Sequence, residues 1–202
     1  MKAFYCHRFV LPLPDGHRFP MAKYARLYRR VAAMADLWGI ELLEPPAVGE
    51  RDLLRVHDRE YVRAMLDGSI GPEQMRRIGF PWSAAMVERS RRSAGGTLQA
   101  LRAALAGDGV AVNLAGGTHH AGRARGGGYC VFNDAVIAAR HAQAHGLAER
   151  DRRVLAACRE RGLPVAVCMA GGYAPEIEDI VDIHAATVAV AARFARQPVG
   201  AG

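Results

Sequence analysis

Short apolar runs alternate along the chain with longer stretches in which apolar residues recur every three or four positions. The apolar runs predict strands at 2–7, 40–43, 110–114 and 165–169. The longer stretches predict helices at 21–38, 50–66 (one or two helices), 83–106, 134–145, 152–161 and 177–196. Helices that alternate with short, continuous apolar strands favour an α/β domain: a parallel sheet with helices on both faces.

Glycines mark the expected ends of several of these helices. Gly39, Gly146 and Gly162 each follow a helical stretch, and Gly68 follows the segment for which Asp58 is the candidate N-cap. A second kind of glycine lies inside a helical stretch. The pair at 95–96 is expected to weaken the helix over 83–106, because glycine has a low helix propensity.

Composition places the chain among soluble globular proteins. Its 202 residues fit one domain, half of them are hydrophobic, and 23% are charged. No apolar run approaches the roughly 20 residues that span a bilayer, and the first residues lack a signal-peptide core, so a cytoplasmic location is expected. The four cysteines form no CxxC pair, which favours reduced, buried thiols.

The net charge of +7 raises the question of a nucleic-acid partner. The positive charge is almost entirely arginine, since Lys2 and Lys23 are the only lysines, and it is spread over several predicted helices. The pairs 76–77 and 91–92 are doublets without interleaved aromatic residues. A solvated, arginine-rich surface is therefore favoured over a nucleic-acid groove, and no membrane partner is expected.

Candidate chemistry follows two predicted strands, where parallel sheets bind ligands. His119 and His120 come after the strand at 110–114, and Tyr173 comes after the strand at 165–169 in a Gly-Gly-Tyr turn. Paired imidazoles can transfer protons, and a tyrosine hydroxyl can donate to an oxyanion. For either motif alone, a turn that merely packs is the favoured interpretation. The two motifs together, in this order, are strong evidence for membership of one enzyme family.

With the segments Val56–Val62 and Ser93–Thr97, these motifs resemble the histone deacetylase and acetylpolyamine amidohydrolase family, in its class IV-like bacterial branch. The resemblance implies the arginase-deacetylase fold, a zinc cofactor, and acetyl-lysine or a small acetylated amine as substrate. It also implies a role for each matching residue. His119 and His120 match the tandem catalytic histidines, Gly128 and Tyr129 line the acyl tunnel, and Tyr173 polarises the scissile carbonyl.

The residues that hold zinc in that family have no counterpart in this sequence. In the family, an Asp-x-Asp-x-His strand follows the helix after the Asn-Asp motif, and a further Asp ligand comes later. Here the chain passes directly from 146–150 into a helix resembling the one before the last strand, so roughly a third of the expected domain is missing. This predicts one deacetylase-like domain over 1–202 with an internal deletion near 147–151, and no tightly bound zinc.

Two other pairs of residues have side chains of the kinds that bind metal ions. Asp182 and His184 lie two apart inside a predicted helix, so their side chains point in different directions. His141 and His145 have a usable spacing, but they close a predicted helix, where histidine interacts favourably with the negative helix end. Neither set is interpreted as a zinc site.

The sequence therefore predicts a truncated half-sheet of about four strands with an exposed apolar edge at 165–169. Such an edge favours self-association. The predicted function is that of a zinc-dependent deacetylase by descent, impaired or inactive because the zinc ligands are absent. The alternative is a non-catalytic remnant or a protein-interaction module.

Overall fold

Residues 1–168 and 177–196 are described by a computed structural model of the chain. The chain divides into two compact units, Met1–Arg140 and His141–Gly202. The predicted Gly-Gly-Tyr turn, with Tyr173, lies outside the described residues. No helix in the described ranges is long and apolar enough to cross a membrane.

The sheet of the first unit has three parallel strands in the order β2-β1-β3. They are β1 (Lys2–Phe4), β2 (Glu41–Leu43) and β3 (Ala111–Asn113), and Ala3 of the central strand pairs with Leu42 on one side and Val112 on the other. Three of the four predicted strands and the parallel arrangement are thus confirmed.

The fourth predicted strand is wrong over the part that the structure describes. Residues 165–168 form no strand, and Val165 and Val167 are 45% and 42% exposed. An apolar run needs a neighbouring strand to pair its backbone groups, and the described residues supply none to this segment. Met169 lies outside the described residues.

Eight α-helices complete the described structure. They are α1 (Ala22–Ala32), α2 (Ala35–Trp38), α3 (Glu50–Leu54), α4 (Arg59–Asp67), α5 (Pro72–Ile78), α6 (Ala84–Ala103), α7 (Asp134–Glu160) and α8 (Ile177–Arg196), and a π-helical turn at Ala104–Asp108 extends α6. The sequence pattern did not predict α5. Its signals were present, since Pro72 opens the helix and Gly79 ends it in a left-handed conformation.

The predicted helix ends at Gly39 and Gly68 are confirmed, because both glycines adopt left-handed conformations after α2 and α4. Asp58 does occupy the N-cap position of α4, but its side chain makes no capping hydrogen bond. The Asp58 carboxylate instead accepts a hydrogen bond from Arg123, near the histidine-bearing loop.

The helix α6 runs through Gly95 and Gly96 without a break, as the predicted helix over 83–106 does, and the weakening expected from these glycines stays a prediction. A Cβ added at Gly95 would lie 2.0 Å from the carbonyl oxygen of Pro46, and one at Gly96 would lie 2.7 Å from Oδ1 of Asn113. The two glycines let neighbouring segments approach the helix closely. The close packing that results outweighs the cost in helix propensity, about 1 kcal/mol per glycine.

The predicted helix end at Gly146 and the separate helix over 152–161 are also wrong. A single helix, α7, runs from Asp134 to Glu160. Ion pairs on its surface support the middle of the helix: Glu149 accepts from Arg152 and Arg153 at 2.7 and 2.8 Å, and these hydrogen bonds lower the pKa of Glu149 to about 2.

The two units differ in whether they contain fully buried side chains. The first has a continuous apolar core that includes Leu53, Val62, Met65, Ile78 and Phe132, all at most 1% exposed. In the second unit, none of the residues whose burial is described is buried. The stable core of the described structure therefore lies in the unit that carries the histidine pair.

Candidate functional site

The loop that carries the two histidines leaves the carboxyl end of β3. Its first residue, Leu114, still donates a backbone hydrogen bond to Phe4 of the central strand at 2.8 Å. His119 and His120 are both exposed, and their ring centroids are 4.3 Å apart. The structure thus places both imidazoles in contact with solvent at the edge of the sheet, where the sequence pattern predicted a ligand site.

Asp134, the first residue of α7, fixes the conformation of this loop. The carboxylate is 1% exposed and accepts four hydrogen bonds. The donors are the Gly117 and Thr118 backbone N–H groups at 2.9 and 2.7 Å and the Thr97 and Thr118 hydroxyls at 2.6 and 2.9 Å. One buried carboxylate therefore holds the turn immediately before His119 against α6 and α7.

The backbone of Gly116 passes so close to this carboxylate that only glycine fits. Its φ is +84°, and an added Cβ would lie 2.6 Å from Oδ2 of Asp134. The Gly116 N–H donates to the hydroxyl of Ser93 at 3.0 Å, and the side chain of Asn113 donates to the Ser93 carbonyl at 2.9 Å. The start of the histidine loop is thereby attached to the middle of α6.

The far end of the loop is held by Asn133 and His57. The Asn133 side-chain amide donates to the carbonyls of Ala121 at 2.8 Å and His119 at 3.3 Å. The backbone N–H of Asn133 donates to Nε2 of His57 at 3.0 Å, so the proton of this neutral ring is on Nδ1, 2.8 Å from the carbonyl oxygen of Gly122. Burial lowers the pKa of His57, which keeps the ring neutral.

Tyr129 lies in the glycine-rich turn that follows the histidine pair along the chain. Its φ is +65°, in the left-handed region, and its backbone N–H donates to the carbonyl of Ile78 at 2.7 Å. The ring packs against Phe19 and Phe80, with centroids 5.0 and 5.1 Å away, and remains 36% exposed. The ring is therefore anchored on one side and available to a ligand on the other.

The structure brings four of the five predicted site residues together. His119 and His120 are adjacent, Tyr129 follows Gly128 in the same loop, and a Cβ added at Gly128 would lie 3.3 Å from the ring of His120. Tyr173 lies outside the described residues, so its predicted position is untested.

The side chains around this site do not match the ligand set of a zinc ion. Within residues 1–168 and 177–196, no three His, Cys, Asp or Glu side chains are grouped so that they could hold a metal. The loop's buried carboxylate, Asp134, is occupied by its four donors, and both ring nitrogens of His57 are hydrogen-bonded. A tetrahedral zinc site needs ligands that these residues do not offer.

Sequence reasoning assigned no role to Asn133, Asp134 or His57. The signal for Asp134 was available: an acidic residue at the first position of a helix, just after an apolar run, is placed to accept N–H groups from a neighbouring turn. The partners could not be read from the sequence, because they come from α6 and from a loop 16 residues earlier.

Three comparisons with known proteins agree on the relationship. The sequence profile of the histone deacetylase domain matches residues 17–150. An uncharacterized protein of Picosynechococcus sp. is 40% identical over 142 residues, 70% of this chain and 47% of that protein. The acetoin utilization protein AcuC of Bacillus subtilis is 31% identical over 51% of this chain and 29% of its own, and the human polyamine deacetylase HDAC10 is 37% identical over 48% and 16%.

The fold comparison leads to the same group of proteins. The crystal structure of an HDAC homolog from Aquifex aeolicus superimposes with a TM-score of 0.57 at 22% identity, over 73% of this chain and 42% of that chain. The three-stranded parallel sheet with its helices is therefore a shortened form of the α/β fold of the deacetylases. The chain spans less than half the length of these curated relatives.

Proposed function

Because the chain belongs to the histone deacetylase family, we propose that its histidine loop forms one side of a cytoplasmic site for acetyl-lysine or a small acetylated amine. One observation carries the proposal: two exposed imidazoles and the partly exposed ring of Tyr129 belong to one loop segment, whose turn before His119 is held in place by buried hydrogen bonds. A narrow, uncharged acyl chain could lie along the Tyr129 ring with its amide at the histidine pair.

The proposed site binds amides but hydrolyses them poorly. An imidazole that moves a proton contributes roughly 10²–10⁴-fold, whereas enzymes typically need 10⁶-fold or more. In the zinc-dependent family, the metal supplies an activated water and polarises the acyl oxygen. Here His119 and His120 can orient water or hold a proton at the amide, and the Tyr129 ring can shield the acyl chain from solvent. The described residues include no group of side chains that could hold the zinc ion. Within this proposal Tyr173, from outside the described residues, donates to the carbonyl.

The test is hydrolysis of a fluorogenic acetyl-lysine amide by the purified chain, together with its zinc content by elemental analysis. The proposal expects saturable binding of the amide, less than one tightly held zinc per chain, and turnover near background. A variant with both His119→Gln and His120→Gln should lose the binding, while the exposed Arg30→Gln variant should keep it. Equimolar zinc with hydrolysis that a chelator abolishes would overturn the proposed loss of activity.

We further propose that the chain lacks a central segment of the family near residues 147–151. The family match ends at residue 150, within that range, and the relatives are more than twice as long as the part that aligns. Sequencing the genomic locus tests this. An uninterrupted reading frame that encodes an Asp-x-Asp-x-His strand between these positions would contradict a genuine deletion.

The alternative, a protein-interaction module, is favoured by one feature of the second unit. An apolar groove of about 660 Å³ is lined by residues of 155–167 and 188–195, including the exposed Val165 and Val167. We propose that this face mediates self-association of the chain. Analytical ultracentrifugation should show dimers or larger species that Val167→Asp reduces and Arg30→Gln does not. A monomer at all concentrations would exclude this alternative.

A further inference from the structure

A recess in the first unit opens beside His120. It is an open cavity of about 310 Å³, lined by two arginines, one histidine and three consecutive glycines: Arg77, His120, Arg125, Gly126, Gly127 and Gly128. We call it the arginine recess. Apart from His120, its side chains have no place in the proposed binding of the amide.

Backbone hydrogen bonds hold the two arginines of the arginine recess near each other. The Gly128 N–H donates to the Arg77 carbonyl at the end of α5, at 3.1 Å, which attaches the glycine-rich loop to that helix. Gly122 donates to the carbonyl of Arg125 at 2.8 Å, and this pairing fixes the backbone that carries the second guanidinium. The two positive charges come from segments 48 residues apart in sequence, yet they line one cavity.

The arginine recess keeps a positive charge after its neighbours are counted. Arg77 donates to Glu73 at 2.8 Å, with both side chains more than half exposed, so water weakens that pair. Arg125 is exposed and forms no ion pair within the described ranges, whereas nearby Arg123 is paired with Asp58. The whole first unit has the same sign: residues 1–140 carry 20 Lys and Arg against 13 Asp and Glu.

From this geometry we infer that the arginine recess binds an anionic group, a carboxylate or a phosphate, on a ligand that reaches the histidine loop. Guanidinium groups form paired, charge-assisted hydrogen bonds with such oxyanions, and bare glycine backbone allows close approach. Polycationic amines would be repelled by the same charges. The ligand class thus differs from a free polyamine. The link to an acyl amide rests on the proposed function, but oxyanion binding itself does not.

The test uses the full chain and two simple probes, inorganic phosphate and spermidine, at constant ionic strength. Binding is followed by ¹H–¹⁵N NMR of the Gly126–Gly128 amides and the arginine Nε–H groups. Phosphate should shift these signals saturably, and spermidine should not. Arg125→Gln should weaken phosphate binding at least about 10-fold, equivalent to about 1.4 kcal/mol. The control Arg30→Gln, an exposed arginine on α1, should bind phosphate like the parent chain.

Three outcomes would overturn the inference: no saturable phosphate binding, an equal loss of affinity in the Arg125 and Arg30 variants, or stronger shifts of the same signals by spermidine. Urea unfolding of Arg125→Gln verifies that the variant is folded. An acetyl-lysine amide serves as a third probe. If phosphate binds as described and this amide does not bind, the proposed function fails and the arginine recess stands. If the amide binds and phosphate does not, the proposed function stands and the arginine recess fails.

Discussion

Replacing Asp134 by asparagine is expected to release the histidine loop and destabilise the first unit. Each oxygen of this carboxylate accepts one backbone N–H: Oδ2 from Gly117 and Oδ1 from Thr118. An amide keeps only one acceptor oxygen. Whichever oxygen becomes NH₂, it directs a donor at a backbone donor, so one buried N–H loses its partner and the hydroxyl bound to the same oxygen must reorient.

The size of the effect follows from burial. Hydrogen bonds to charged groups contribute roughly 1.5–3 kcal/mol each, and leaving one partner of a buried charged network unpaired typically costs about 3–5 kcal/mol in total. We therefore expect Asp134→Asn to lower the free energy of unfolding by about 3–5 kcal/mol. A domain of ordinary stability has about 5–15 kcal/mol, so the loss should be plain in any unfolding curve.

Urea unfolding provides the assay, monitored by tryptophan fluorescence, since Trp38 and Trp82 both lie in the first unit. The matched control is Asp67→Asn, the same chemical change on an exposed carboxylate whose partners among the described residues are Ser69 and Arg63. That variant should change the free energy of unfolding by less than about 0.5 kcal/mol. An Asp134→Asn protein within about 1 kcal/mol of the parent, with the control behaving as expected, would refute the reasoning.

Three further predictions concern other parts of the described structure. The free energy of unfolding should fall as pH drops below about 6.5, because His57 then takes up a proton in the unfolded chain more readily than in the folded one. In the folded chain, burial lowers the pKa of His57 and its Nε2 already accepts the Asn133 N–H. The urea midpoints at pH 7.5 and 5.5 should therefore differ less in a His57→Gln variant than in the parent chain. Gly95→Ala should lower the free energy of unfolding by about 3 kcal/mol or prevent folding, because the added Cβ would collide with the Pro46 carbonyl. A urea midpoint equal to the parent's would contradict that close contact. Gly146→Ala should stabilise α7 by about 0.5–1 kcal/mol, because alanine has the higher helix propensity and nothing lies within 4 Å of the added Cβ. A melting temperature below the parent's, measured by circular dichroism, would instead indicate that a helix ends at Gly146.

The sequence predicted most of the elements that build the candidate site. Strands β1, β2 and β3 are short apolar runs, and their order along the chain already indicated a parallel sheet. The motif around His119 and His120, together with the Gly-Gly-Tyr turn that contains Tyr173, identified the family that the comparisons then established. These features are local: they depend on the spacing of residues within a few turns or strands.

The failures share a different origin. Gly146 was predicted to end a helix from its position after a helical stretch, but ion pairs of Glu149 with Arg152 and Arg153 support α7 beyond it. The run at 165–168 was predicted as a strand from its apolar residues, yet a strand exists only where a partner pairs with it.

Residue spacing and motifs were enough to predict the family, the three strands that form the parallel sheet and the position of the histidine loop, because these features are encoded in neighbouring residues. The contacts by which Asp134 holds that loop, and the recess that Arg77 and Arg125 line beside His120, became visible only in the folded chain. Both arrangements join groups that lie far apart along the chain. Their geometry is set by packing and by the pairing of buried polar groups, which no local pattern records.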